Sequence, residues 1–167
     1  MSFSNLRIFS IRFSCMIFAV HGIIDYAVRA QITYSSIREM TDDLNNFPMP
    51  QKEEDIELAG KFGILYFLQH LNTGLNILGF FISSCLLYGV IKEQKYFLTP
   101  SLFFIPFDIV MRTILIISAL LLKNPGLDPI TTTMTHVITV LILNVMWLLT
   151  ILYKQQIQRQ TEKEKTM

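Results

Sequence analysis

Residues 63–91 read GILYFLQHLNTGLNILGFFISSCLLYGVI and contain no Asp, Glu, Lys or Arg. The hydrocarbon core of a bilayer is about 30 Å thick, so a helix needs roughly 20 mostly apolar residues to cross it. Lipid offers no partners for backbone polar groups, and a single spanning segment of this length therefore has to be helical. This stretch predicts a transmembrane helix.

Three further stretches have the same character, at residues 13–30, 97–122 and 129–153. Of the whole chain, 51% is hydrophobic and only 16% is charged, a balance that is wrong for a soluble domain. Transmembrane strands would be shorter, with alternating polarity, and would have to close into a barrel. The sequence therefore predicts an all-α membrane protein, with a bundle of four transmembrane helices.

The first apolar stretch has a rival interpretation as a cleaved signal peptide, because Arg7 and Arg12 precede it. The stretch contains His21 and Asp25, however, and lacks a convincing small-residue cleavage site. We interpret it as a retained membrane anchor, which places both termini on the same side of the membrane.

The distribution of Lys and Arg predicts the orientation of the bundle. Basic residues on the side of both termini outnumber those on the other side, and an excess of Lys and Arg marks the cytoplasmic face. The richer side holds Arg7, Arg12, Lys92, Lys95, Lys154, Arg159, Lys163 and Lys165, against Arg29, Arg38, Lys52, Lys61 and Lys123 on the other. We expect residues 1–12 and 154–167 to be cytoplasmic and the connection 31–62 to be lumenal or extracellular.

Two further features of the connections are predicted. Residues 32–44 are expected to form a short helix, because apolar residues recur there at helical spacing. Residues 92–95 and 123–128 are expected to form tight turns, the second of which contains Pro and Gly.

Ionisable and amide side chains recur inside the predicted spans. Such groups are costly in lipid, so they usually face the bundle interior or a water-filled cavity. Asp108 and Arg112 lie four residues apart, on one helix face at ion-pair distance, and His21 and Asp25 repeat that spacing. From a rise of about 1.5 Å per residue, the candidates fall in one band roughly 8 to 22 Å below the outer surface. They are His21, Asp25, His70, Asn72, Asn76, Asp108, Arg112, His136 and Asn144.

Three interpretations of this polar band stay open. It is a set of structural contacts, a proton or substrate pathway, or a polar helix face that binds a partner. We favour structural contacts, because interhelical hydrogen bonds are common in membranes and a self-paired Asp108 and Arg112 would hide two charges at once. Gly79 and Ser83, four residues apart, predict a position where another helix approaches closely.

Motifs of soluble enzymes are absent from the sequence, including G-x-S-x-G, H-E-x-x-H, C-x-x-C and a Gly-rich phosphate loop. We therefore expect no enzymatic activity, no cofactor and no metal site. Cys15 and Cys85 both fall inside predicted spans, which argues against a tetraspanin-like or claudin-like outer disulfide framework. A net charge of +1 argues against nucleic-acid binding.

Residues 87–90 read LYGV, residues 97–104 read FLTPSLFF and residues 106–110 read PFDIV. A Tyr-Gly that closes span two, a Leu-x-Pro that enters span three and a Phe-Asp within span three together resemble the lysosomal-associated transmembrane (LAPTM) family of four-span proteins. Asn144, Trp147, Tyr153 and Lys154 loosely resemble that family's pattern at the end of span four. Small invertebrate four-span proteins of unassigned role are similar in the same hairpin.

This resemblance implies an endosomal or lysosomal membrane in preference to the plasma membrane. It also implies an accessory role in the sorting or movement of membrane proteins, lipids or small solutes. LAPTM proteins commonly carry Pro-Pro-x-Tyr motifs that recruit ubiquitin ligases, but residues 154–167 contain no proline, so recruitment by that route is not expected.

We expect the partners to be the lipid bilayer and other membrane proteins, and we leave self-association open. Two alternative functions are kept. One is a small solute or proton-coupled transporter that uses the polar band, and the other is a structural or junctional tetraspan that assembles laterally.

Overall fold

The computed structural model describes residues 3–45, 53–121 and 129–165. Within these ranges the chain forms four helices and no strand: α1 (Phe3–Asn45), α2 (Glu53–Lys92), α3 (Lys95–Leu121) and α4 (Pro129–Lys165). Each contains a stretch long and apolar enough to cross a membrane, namely Phe9–Asp42, Gly60–Lys92, Lys95–Ser118 and Thr133–Glu162. The prediction of an all-α chain with four potential membrane-spanning helices is confirmed.

The helices extend beyond the predicted spans. Residues 32–44, expected to form a separate short helix in a connection, continue α1 without a break, and α2 already begins at Glu53. Most of the predicted connection 31–62 is therefore helical, because no Gly or Pro occurs between residues 31 and 45 to end α1. The Pro-containing segment 46–52 and the predicted turn 123–128 lie outside the described residues.

The short turn between α2 and α3 forms an antiparallel hairpin, as the four-residue connection predicts. Glu93 adopts a left-handed conformation with a φ of 57°. The Gln94 amide donates to the Gly89 carbonyl at 3.0 Å, which is the bond that closes a Schellman motif at a helix end. Gly89 is needed there, because a Cβ at this position would lie 2.9 Å from Cβ of Phe97.

The bundle has a closed order in which each helix packs against two neighbours. α1 contacts α2 and α4, and α3 contacts α2 and α4, with the most extensive interface between α1 and α2. Buried side chains from all of these helices form one core cluster: Cys15, Ala19, Leu86, Val90, Leu98, Ile105, Leu143, Met146, Tyr153 and Ile157. Many large apolar side chains point outward instead, as expected of a surface that faces lipid.

Small residues allow α1 and α2 to approach closely. A Cβ at Gly22 would lie 2.7 Å from Oγ of Ser83, and a Cβ at Gly79 would overlap the ring of Tyr26. Gly79 and Ser83 therefore face α1 of the same chain. These positions therefore serve the packing of α1 against α2 within one chain.

Two prolines lie inside α3, and the second one removes a backbone hydrogen bond. Pro106 has no N–H to donate to the carbonyl of Leu102, four residues earlier. The indole Nε1 of Trp147, on α4, donates to that same carbonyl at 3.0 Å. Because lipid offers no donor for a free carbonyl, this bond both satisfies Leu102 and joins α3 to α4.

The space next to Gly79 generates a first prediction. Gly79→Ala should displace the Tyr26 ring and lower the free energy of unfolding by about 1–3 kcal/mol, the usual cost of overpacking. Thermal unfolding of the purified protein in a neutral detergent measures this loss. Gly74→Ala is the matched control, since no atom lies within 4 Å of a Cβ at Gly74, and equal losses in both variants would contradict the packing role of Gly79.

The Trp147 bond to Leu102 generates a second prediction. Trp147→Phe should cost about 1–3 kcal/mol of stability, because it leaves the Leu102 carbonyl without a donor. Pro106→Ala restores a backbone N–H, so Trp147→Phe should cost less when Pro106→Ala is also present. Thermal unfolding of both single variants and of the double variant forms the cycle, and an equal cost of Trp147→Phe in both backgrounds would refute the compensation.

Candidate functional site

A buried ion pair lies in the middle of α3. Nε of Arg112 donates to Oδ2 of Asp108 at 2.9 Å, and the two side chains are 8% and 0% exposed, respectively. The sequence prediction placed these residues on one helix face at ion-pair distance, and the structure places them so. Because the two charges neutralise each other within one helix, α3 needs no charged partner from elsewhere.

Side chains from α1 and α2 surround this ion pair. The Tyr26 hydroxyl donates to Oδ2 of Asp108 at 2.7 Å, and Nη2 of Arg112 donates to Oδ1 of Asn76 at 2.8 Å. The Arg112 guanidinium also lies 5.4 Å from the centre of the Tyr26 ring, within the range of a cation–π contact. We call Tyr26, Asn76, Asp108 and Arg112 the central network, and it joins α1, α2 and α3.

Tyr26 was not among the candidates taken from the sequence. A tyrosine in an apolar span resembles any other aromatic core residue, and only its hydroxyl indicates that it needs a polar partner. Within the described residues, Nδ2 of Asn76 and Oδ1 of Asp108 are buried without a hydrogen-bond partner. The central network therefore keeps unused hydrogen-bonding capacity on both the donor and the acceptor side.

A second ion pair lies on α1, and it joins Asp25 to Arg29 instead of to His21. Nε of Arg29 donates to both carboxylate oxygens of Asp25 at 2.8 Å, and each of these side chains is 33% exposed. His21, at the spacing that we had singled out, is exposed and does not pair with Asp25. An arginine carries a permanent charge, so it is the stronger partner for a carboxylate.

Two of the other candidates are satisfied within their own helices. Nδ1 of His70 lies 3.0 Å from the carbonyl of Tyr66, and Nδ2 of Asn144 donates to the carbonyl of Val140 at 2.8 Å. Both side chains are exposed on the outside of the bundle. The structure does not bring them into contact with the central network.

His136 lies between α3 and α4. Its Nε2 is 3.3 Å from Oγ1 of Thr113, and this hydroxyl donates its own proton to the carbonyl of Ile109 at 2.7 Å. His136 and Thr113 thus share a hydrogen bond whose donor depends on the tautomer of His136. This bond joins α3 to α4 at the residue next to Arg112.

A cavity of about 320 Å³ adjoins the central network. This volume lies at the lower end of the usual range of ligand pockets, roughly 300–1,000 Å³. Along α4 it extends from Thr131 to Thr139, a distance of about 12 Å at 1.5 Å per residue. Residues of α1–α4 line it: Arg29, Asn72, Arg112, Leu115, Ile116, Thr131, Thr135, His136 and Thr139.

A narrow groove of about 50 Å³ lies between α1 and α4 and shares Arg29 and Thr139 with the cavity. Most of its surface is apolar, although it also includes two of the predicted candidates. Its other lining residues are Phe18, His21, Gly22, Asp25, Tyr26, Ile142, Leu143 and Met146. The shared residues place the groove directly beside the cavity.

Direct contacts close the opposite end of the bundle. Arg12 pairs with Glu93 and donates from Nη2 to the carbonyl of Ile91 at 2.9 Å. The Tyr153 hydroxyl donates to the carbonyl of Val90 at 3.2 Å. In the same region, Nζ of Lys154, on α4, donates to Oγ1 of Thr99, on α3, at 3.2 Å. We call this region the clasped end.

These features define the class of the molecule. Helices α1–α4 are each long and apolar enough to cross a membrane, which indicates a multi-pass membrane protein, and they form a bundle with charged and amide side chains in its interior. No family model matches the sequence, and comparisons with curated proteins and with solved structures find no match.

The buried ion pair generates a third prediction. Arg112→Met leaves the Asp108 carboxylate buried without its cation and should cost about 3–5 kcal/mol of stability. The double variant Asp108→Leu with Arg112→Met removes both charges and should be more stable than Arg112→Met alone. Thermal unfolding in detergent measures both, and a double variant less stable than Arg112→Met would contradict the prediction, because the Asp108 carboxylate would then stabilise the bundle without its arginine.

Proposed function

We propose that this chain is a non-enzymatic accessory or sorting factor of LAPTM-like type in endosomal or lysosomal membranes. The proposal rests on where the residues of this resemblance lie in the structure. Most of the residues that resemble the LAPTM family lie at and beside the clasped end of the bundle, whereas Asp108 lies in the central network and Asn144 faces outward.

The contacts at this end come from three helices. Gly89, at the end of α2, lies against Phe97 and Leu98 at the start of α3. Tyr153, from α4, donates to the carbonyl of Val90 on α2, while Trp147 donates to the carbonyl of Leu102 on α3. One packed region thus contains the Tyr-Gly of α2, the Leu-x-Pro of α3, and the Trp and Tyr-Lys of α4. This proximity supports the view that the resemblance to the LAPTM family reflects a similar packing of these helices.

The proposed orientation places both termini and the clasped end in or near the cytoplasm. Arg12, Lys92, Lys95 and Lys154 all belong to this end of the bundle, as their contacts and positions at the helix ends indicate. A concentration of Lys and Arg on one side is the usual mark of the cytoplasmic face. The cavity then lies in the half of the bundle nearer the lumen or the extracellular space.

An accessory role depends on lateral contacts within the membrane. The outward faces of α1 and α4 carry apolar side chains at helical spacing, including Phe13, Ile17 and Val20 on α1 and Leu141 and Val145 on α4. Such faces contact either lipid or the apolar helices of other membrane proteins. They provide the surface that a sorting factor would present to its cargo.

Localisation tests this proposal. A copy tagged at its C-terminus should overlap with endosomal and lysosomal markers in cells, and blocking endocytosis should leave that pool in place or shift part of it to the surface. Surface biotinylation, with and without the block, measures the exchange. A stable pool at the plasma membrane alone, with no endosomal fraction under either condition, would refute the proposal.

A further inference from the structure

The cavity has an unusual distribution of charge. Arg29 from α1 and Arg112 from α3 both line it, whereas neither of their carboxylate partners is among its lining residues. Asp25 lines the neighbouring groove, and Asp108 is fully buried beneath Tyr26 and Arg112. The cavity wall therefore presents the cationic member of each ion pair.

Arg29 and Arg112 also have N–H groups that are not used in hydrogen bonds to the described residues. A guanidinium carries five N–H groups on three nitrogens. Arg29 bonds Asp25 through Nε alone, and Arg112 uses Nε and Nη2 for Asp108 and Asn76. Both Nη atoms of Arg29 and Nη1 of Arg112 thus make no hydrogen bond to any described residue. Donors left free beside a cavity favour a ligand that accepts hydrogen bonds from them.

The remaining lining residues agree with an anionic ligand. Asn72 contributes an amide and His136 an imidazole, while Leu115 and Ile116 form an apolar part of the wall. Two guanidinium groups disfavour a cation in the same space. Arginine is the residue whose planar donors best match a carboxylate or a phosphate.

We propose that this cavity binds an oxyanion, either a carboxylate or a phosphate, between Arg29 and Arg112. The oxyanion is carried by a water-soluble molecule or by a membrane lipid. The adjoining groove between α1 and α4 has an apolar wall at Phe18 and Ile142, against which the first part of a lipid chain would lie. This site does not depend on the sorting role proposed above, since binding is measured on the purified protein.

Native mass spectrometry of the full chain in a neutral detergent tests the site. One arm adds inorganic phosphate or butyrate, and the other adds phosphatidic acid or a long-chain fatty acid. Phosphatidylcholine and diacylglycerol are the uncharged or zwitterionic comparisons. Selective binding in the first arm identifies a soluble ligand, selective binding in the second identifies a lipid, and either result supports the oxyanion site.

Two variants that break the same ion pair separate a ligand contact from a structural effect. Arg29→Gln removes a donor from the cavity and should weaken oxyanion binding by about tenfold, the equivalent of one charge-assisted hydrogen bond. Asp25→Asn removes only the competing carboxylate, so it should leave the affinity unchanged or raise it. Arg12→Gln makes the same change of charge at the clasped end and should have no effect.

The proposal is overturned if neither arm binds above the level of phosphatidylcholine. It is also overturned if Arg29→Gln and Asp25→Asn weaken binding equally, because the ion pair would then matter only for the fold. An equal loss with Arg12→Gln would attribute binding to net charge and would likewise refute the site. The localisation experiment is unaffected by any of these outcomes.

Discussion

The helices are arranged around the ion pair between Asp108 and Arg112, whose charges have to neutralise each other inside the bundle. Two charges in a bilayer interior are tolerated only where they neutralise each other and their remaining hydrogen-bonding groups find partners. The spacing of four residues supplies the pairing, while Tyr26 and Asn76 bring α1 and α2 to it. Because those bonds require close approach, Gly79 has to leave room for the Tyr26 ring.

The lack of hydrogen-bond partners in lipid also explains contacts far from the ion pair. Pro106 frees the carbonyl of Leu102, and the Trp147 indole satisfies it from the next helix. Threonine hydroxyls in the spans donate to carbonyls of their own helices, as Thr113 and Thr150 do at 2.7 and 2.8 Å. An unmet polar group costs more in lipid than in water, and the Trp147 bond, which crosses between two helices, also fixes how α4 is rotated against α3.

The two halves of the bundle differ in how far their polar groups are satisfied. At the clasped end Arg12, Tyr153 and Lys154 bond directly to groups on neighbouring helices. In the other half, spare donors of Arg29 and Arg112 line an open cavity. One end of the bundle is thus tightly packed and holds most of the residues of the family resemblance. The other half has side chains that favour an anionic ligand. The proposed sorting role and the proposed oxyanion site thus rest on different parts of the molecule.

The sequence by itself determined the helical class and the four apolar spans, since length and apolarity are local properties. It also determined the Asp108 and Arg112 pair, because a spacing of four fixes proximity within one helix. Only the tertiary structure decided that Tyr26 and Asn76 complete the network, and that His70 and Asn144 lie outside it. Those outcomes depend on the rotation of each helix against its neighbours, which long-range packing sets and no local pattern encodes.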